Sequence, residues 1–128
     1  MGIQLSITKR FTFSASHSLP NHDGKCKENH GHNYILYVTI TGETQKSGPK
    51  KGMIVDYGDI KKIVKELVVD KFDHKNLNNI FGDLPTTAEN LALQILVMLE
   101  SEKFGDGRVT EIKLHETESS FATATVIN

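Results

Sequence analysis

The sequence predicts an α+β domain, a four-stranded antiparallel sheet with two helices on one face. Two stretches of alternating apolar residues open the chain, two helical periodicities follow, and two shorter alternating stretches close it. Grouping the helices between two pairs of strands is how an α+β domain covers one face of its sheet. At 128 residues the chain is expected to form a single domain over residues 1–128, burying about two-thirds of its unfolded surface.

Residues 3–14 supply the first strand, with apolar alternation broken at Lys9-Arg10, where a bulge is expected. Residues 15–20 leave it, and Asn21-His22-Asp23-Gly24 has the composition of a turn. The second strand spans about 31–42, with Tyr34, Leu36, Val38 and Ile40 on one face and Ile35, Tyr37 and Thr39 on the other. Neither face is wholly polar, which places this strand between two layers or in a subunit contact. Residues 44–52 are polar and read as an exposed loop, and 53–55 as a short extended piece. Asp56 or Gly58-Asp59 then opens a helix whose Ile60, Ile63, Val64 and Leu67 share a stripe opposite lysines. Residues 72–79 are too polar for a regular element and form a structured loop. Thr86-Thr87-Ala88-Glu89 reads as a capping box, with Glu89 as a capping residue, before a helix carrying Leu91, Ala92, Ile95, Leu96 and Leu99. Gly105-Asp106-Gly107 makes a turn, and residues 109–115 and 121–127 are the third and fourth strands. Two helices leave the second sheet face uncovered, so a homo-oligomer is expected.

Fifteen basic and 16 acidic residues give a net charge of -1, which offers no reason to expect nucleic acid or an anionic membrane as partner. The chain shows no membrane span and no signal-peptide pattern, and its lone cysteine fits a reducing compartment. A cytoplasmic protein is expected.

Cys26-Lys27-Glu28-Asn29-His30-Gly31-His32 is the densest stretch of chemistry-bearing residues. On a strand, His30 and His32 point to one face and can share a metal ion, with His17 at the end of the first strand as third ligand. His22 is an alternative third ligand. Three imidazoles without a fourth protein ligand match a catalytic zinc site, so Zn2+ is the expected cofactor. Cys26 lies between Lys25 and Lys27, where a thiolate is favoured, and acts as a ligand or a base. Asp73 beside His74 can orient an imidazole that relays protons. Glu116 can accept two parallel hydrogen bonds from an amino-pyrimidinone edge such as a pterin or guanine.

Six pieces in order carry a resemblance over essentially the whole chain: Phe11-Thr-Phe-Ser-Ala-Ser-His17, Cys26-x-x-x-His30-Gly-His32-Asn-Tyr, Gly52-Met-Ile-Val-Asp-Tyr57, Phe72-Asp-His74-x-x-Leu-Asn78, Pro85-Thr-x-x-Glu-Asn90 and His115-Glu-Thr117. The chain resembles the 6-pyruvoyl-tetrahydropterin synthase / 6-carboxy-tetrahydropterin synthase family. That resemblance implies the T-fold, in which trimers close into barrels and pair as hexamers with active sites between subunits. It implies zinc on His17, His30 and His32, Cys26 as the base, Asp73 and His74 as the relay, Glu116 as the pterin anchor and Thr87 at the substrate. The implied substrate is a small molecule, 7,8-dihydroneopterin triphosphate, with Lys9, Arg10, Lys25 and Lys27 as candidate phosphate contacts. Three residues between Cys26 and His30 resemble the 6-carboxy branch of the queuosine pathway, which releases acetaldehyde and triphosphate. The alternative is the pyruvoyl branch, which eliminates triphosphate and keeps the carbon skeleton. A non-catalytic metal- and pterin-binding module is the alternative of another class, which loss of Cys26 or His74 would favour; both are present.

Overall fold

The computed structural model describes residues 2–127. Strand β1 (Ser6–His17) pairs antiparallel with β2 (His30–Gly42) in an unbroken register from Ser6 opposite Thr41 to His17 opposite His30. The expected bulge at Lys9-Arg10 is absent. Lys9 instead takes a place on the inward face in line with Ile7 and Phe11, and its amino group lies 6.0 Å from the Phe11 ring centre. A lysine stem can cover apolar surface while its head reaches water, so no shift of register is needed.

Strand β4 (Gly107–Thr117) pairs antiparallel with β2, and β5 (Ser120–Thr125) with β4. The bulges fall here, between Thr39 and Ile40 in one ladder and between His115 and Thr117 in the other. A fifth strand corrects the expected count. Lys75–Asn76, β3, runs parallel beside Ala15 and Ser16 at the free edge of β1. The sheet is therefore mixed, ordered β3-β1-β2-β4-β5.

The first helix, α1, begins at Asp56, whose side chain accepts from the Gly58 N–H. It runs over Tyr57–Val64, widens into a π-helical turn at Lys65–Val69 and ends in one turn at Asp70–Phe72. Ile60, Val64, Val68 and Phe72 are buried along it. The segment read as a loop holds a second short helix, α2 (Leu77–Phe81), capped by the Asn76 side chain. Its polar asparagines hid a helix because two of them, Asn76 and Asn78, serve as cap and lock rather than as solvated turns. The third helix, α3 (Ala88–Leu99), buries Leu91, Ala92, Ile95, Leu96 and Leu99, the stripe its spacing predicts. Its cap is Thr87, one residue later than the capping box implied, and accepts from the Asn90 N–H. Glu89 is exposed and caps nothing among the described contacts. Residues 53–55 form no strand. Ile54 and Val55 are buried, and the Ile54 carbonyl accepts from the Asp106 N–H in the turn before β4.

Inward residues of the sheet, Phe13, Tyr34, Leu36, Val38, Ile40, Ile112 and Leu114, meet the helices in one core. Ile35, Tyr37 and the exposed Phe121 lie on the opposite face. Among the described residues no helix is long and apolar enough to cross a membrane.

Candidate metal centre

The β1–β2 register places His17 directly opposite His30. Two-residue periodicity then brings His32 onto the same inward face, one step further along β2. The His17 and His30 Nε2 atoms are 3.1 Å apart, and the ring centres of the three imidazoles lie 4.6 to 5.2 Å from one another. Glu116 of β4 completes the cluster, its Oε1 3.1 Å from His32 Nε2. One donor atom from each of these four residues lies within 4.8 Å of every other.

Two of the rings are already turned for ligation. His17 Nδ1 donates to the Thr86 carbonyl at 2.9 Å, with the Thr86 hydroxyl 3.1 Å away. His30 Nδ1 donates to the Glu28 carbonyl at 2.7 Å. Each bond holds the proton on Nδ1 and leaves the Nε2 lone pair facing inward, the tautomer a metal requires. Two such lone pairs at 3.1 Å repel unless a cation lies near them. His32 Nε2 is buried without a hydrogen bond, because the nearby Glu116 oxygen is not aligned to accept one. Burial pushes the His17 and His32 imidazoles below the ordinary histidine range, against the opposing pull of Glu116. Three imidazoles with their Nε2 atoms gathered beside a carboxylate fit a metal ion by donor chemistry and by spacing. A tetrahedral ion with bonds of about 2.0–2.1 Å sets its ligands about 3.3 Å apart.

His17 stays in place because the chain beyond it is clamped. The Asn78 side chain accepts from the Ser18 N–H at 2.7 Å and donates to the Ser18 carbonyl at 3.0 Å. His22, the alternative third ligand, lies outside the cluster; its Nδ1 accepts from the Gly24 N–H.

Cys26 is half-buried in a 3₁₀ turn (Lys25–Lys27) and is outside the cluster. Asp73 and His74 form a separate unit at the edge of β1. Asp73 Oδ1 accepts from the Ser14 N–H at 2.9 Å, and its Oδ2 lies 3.0 Å from His74 Nδ1. The Ser14 N–H, with His74 second, holds the Asp73 carboxyl below its ordinary range. His74 adopts a φ of 61°, unusual for a residue with a side chain, and its N–H donates to the Ser14 carbonyl. Its side chain is 82% exposed and lines a cleft of about 400 Å3 whose wall includes Ser14, Ser16, Asn33 and His32. The Asn76 amide donates to Asn29 Oδ1 at 3.0 Å, tying the segment after His74 to the link between Cys26 and His30. Thr87 caps α3 through its hydroxyl and lines a neighbouring pocket of about 430 Å3.

Sequence reasoning missed Thr86 and Tyr34. Thr86 is fully buried on His17, a role masked by its neighbour's cap. Tyr34, two residues beyond His32, reads from the sequence only as one residue of an alternating face; its ring stacks on Phe13 at 5.0 Å, but its hydroxyl is buried without a partner. Nor did the sequence show that Glu116 reaches the imidazoles.

The family model described as 6-pyruvoyl tetrahydropterin synthase matches residues 6–126. A 6-carboxy-5,6,7,8-tetrahydropterin synthase of Haemophilus influenzae is 37% identical, over 90% of this chain and 94% of that protein. A 6-pyruvoyl tetrahydrobiopterin synthase of Dictyostelium discoideum is 36% identical, over 90% and 91% respectively. Among solved structures, the 6-pyruvoyl tetrahydropterin synthase of Caenorhabditis elegans superposes with a TM-score of 0.82 at 28% identity, covering 98% of this chain and 97% of that one.

Proposed function

Because the chain belongs to the 6-pyruvoyl tetrahydropterin synthase family, we propose that it is a zinc-dependent lyase of the 6-carboxy branch. It converts 7,8-dihydroneopterin triphosphate and one water to 6-carboxy-5,6,7,8-tetrahydropterin, acetaldehyde and triphosphate. The observation that carries the choice of branch is the link Lys27-Glu28-Asn29, only three residues between Cys26 and His30. Four residue steps span at most about 14 Å, and the Glu28 carbonyl is already committed to His30. The thiol is thereby leashed close to the imidazoles without joining them.

His17, His30 and His32 would hold the metal through Nε2. Zinc suits an all-imidazole set and, when bound, supplies Lewis-acid polarisation of the substrate's side-chain hydroxyls. Cys26 abstracts a proton from the side chain. Asp73 accepts from His74 Nδ1, which leaves Nε2 to take up or return a proton. Glu116 receives the pterin ring through its two carboxylate oxygens. His74 stands away from the cluster and open to solvent, which supports a site completed between copies of the chain. We assign a hexamer of two trimers, closed into a barrel whose inner wall carries Ile35 and Tyr37.

The 36% identity to a pyruvoyl-type relative favours the pyruvoyl reaction as the second reading. Incubating zinc-loaded protein with dihydroneopterin triphosphate separates the two by mass spectrometry. Acetaldehyde with the carboxy product supports the assignment. A pyruvoyl product without acetaldehyde moves the chain to the other branch, and no product favours a binding module.

A further inference from the structure

Glu116 stands between two places. Toward the sheet, its carboxylate lies within 4.8 Å of all three imidazole donors. Toward β5 and the start of α3, it lines a cavity of about 460 Å3 with Glu89, Phe121 and Thr123. The β4–β5 ladder steps from His115 opposite Phe121 to Thr117 opposite Ser120, which leaves Glu116 as the extra residue of a bulge. A bulged residue is released from the ladder and its side chain is re-aimed, a device common beside functional sites. Its side chain is 26% exposed and hydrogen-bonded to nothing among the described residues.

The two places demand the same atoms. Bidentate recognition of an amino-pyrimidinone edge uses both carboxylate oxygens. An ion held by the three Nε2 atoms would take one of those oxygens as its fourth ligand. Both demands cannot be met at once.

We propose that Glu116 is an exchangeable fourth ligand, closing the metal centre while the neighbouring cavity is empty and leaving the metal when a pterin ring enters. The inference rests on the metal centre and the pterin anchor assigned above. It makes the open coordination position a consequence of ring binding. By linkage, the ring weakens metal binding by the same factor as the metal weakens ring binding.

Cobalt(II) is the probe, because its visible absorption reports its ligands. Chelator-treated full chain and its Glu116→Gln variant are titrated with cobalt, with and without unsubstituted pterin, which has no side-chain hydroxyls to offer the metal. Ring binding is followed by the fluorescence of the ring itself. The variant should bind cobalt at least about tenfold more weakly. Saturating pterin should shift the wild-type spectrum and lower its cobalt affinity, and should leave the variant's cobalt affinity unchanged. Equal cobalt affinity in the two proteins overturns the proposal, as does a wild-type spectrum unmoved by pterin. Neither readout involves turnover, so the result stands apart from the identity of the reaction. Wild-type protein that takes up no cobalt overturns the metal centre as well.

Discussion

Replacing Tyr34 with phenylalanine should stabilise the metal-free protein. The Tyr34 ring is fully buried, stacked on Phe13 at 5.0 Å with the planes 16° apart, and it faces His32 edge-on at 5.6 Å. Phenylalanine keeps all of that packing and removes only the hydroxyl, which is buried without a hydrogen-bond partner. An unpaired buried hydroxyl costs about 1–3 kcal/mol, so Tyr34→Phe should gain about 1 kcal/mol. In a domain of this size that raises Tm by about 4 °C. Tyr34→Ala, which also removes the ring, should lose about 3–5 kcal/mol. Burial, with the Glu116 charge second, pushes the phenol well above its ordinary range. The hydroxyl is thus neutral in the folded and the unfolded chain between pH 5 and 9, and the gain should not vary with pH there. The assay is thermal and urea unfolding of chelator-treated protein at one fixed concentration, since an oligomer's Tm depends on concentration. Destabilisation of Tyr34→Phe by 1 kcal/mol or more would show that the hydroxyl is bonded in the folded protein and would refute the reasoning.

Acidification should unfold the metal-free protein early. Burial lowers the folded-state pKa of His17 and His32, while the unfolded rings take up protons near pH 6.5. Their contribution is therefore complete above about pH 6.5 and declines as pH falls below it; urea midpoints constant from pH 7 to 5 would contradict this. Gly105→Ala should lower the unfolding free energy measured in urea by about 2 kcal/mol or more, because φ is +60° there and the added Cβ would run into the Ile54 carbonyl. Thr87→Ala should cost about 1 kcal/mol through loss of the α3 cap, with metal affinity retained. Thr86→Ala should also retain most metal affinity, because the backbone carbonyl still holds His17 Nδ1; titration with zinc checks both.

The β1–β2 hairpin, the α3 stripe and the three histidines were legible in the sequence because each rests on a local period. Two-residue alternation decides which side chains share a face, and His30 and His32 need nothing more. The helix hidden at Leu77–Phe81 and strand β3 were not legible, because both are made by long-range locks: Asn78 on Ser18, and the His74 N–H on Ser14. The cap of α3 slipped by one residue because Thr86 and Thr87 are equivalent by composition, and only burial against His17 assigns one of them inward. Glu116 was read for its carboxylate chemistry alone. Its approach to His32 depends on the register of β4 beside β2, which no local pattern encodes.

The proposed site holds its metal on three imidazoles, with Cys26 close by and outside the ligand set. Metal content and turnover measured on the same preparations of wild type and Cys26→Ala test it most directly. Equal zinc content is expected in both, with turnover of dihydroneopterin triphosphate lost in the variant. Zinc lost together with turnover would make Cys26 a ligand, and zinc-free protein with full activity would remove the metal from the chemistry altogether.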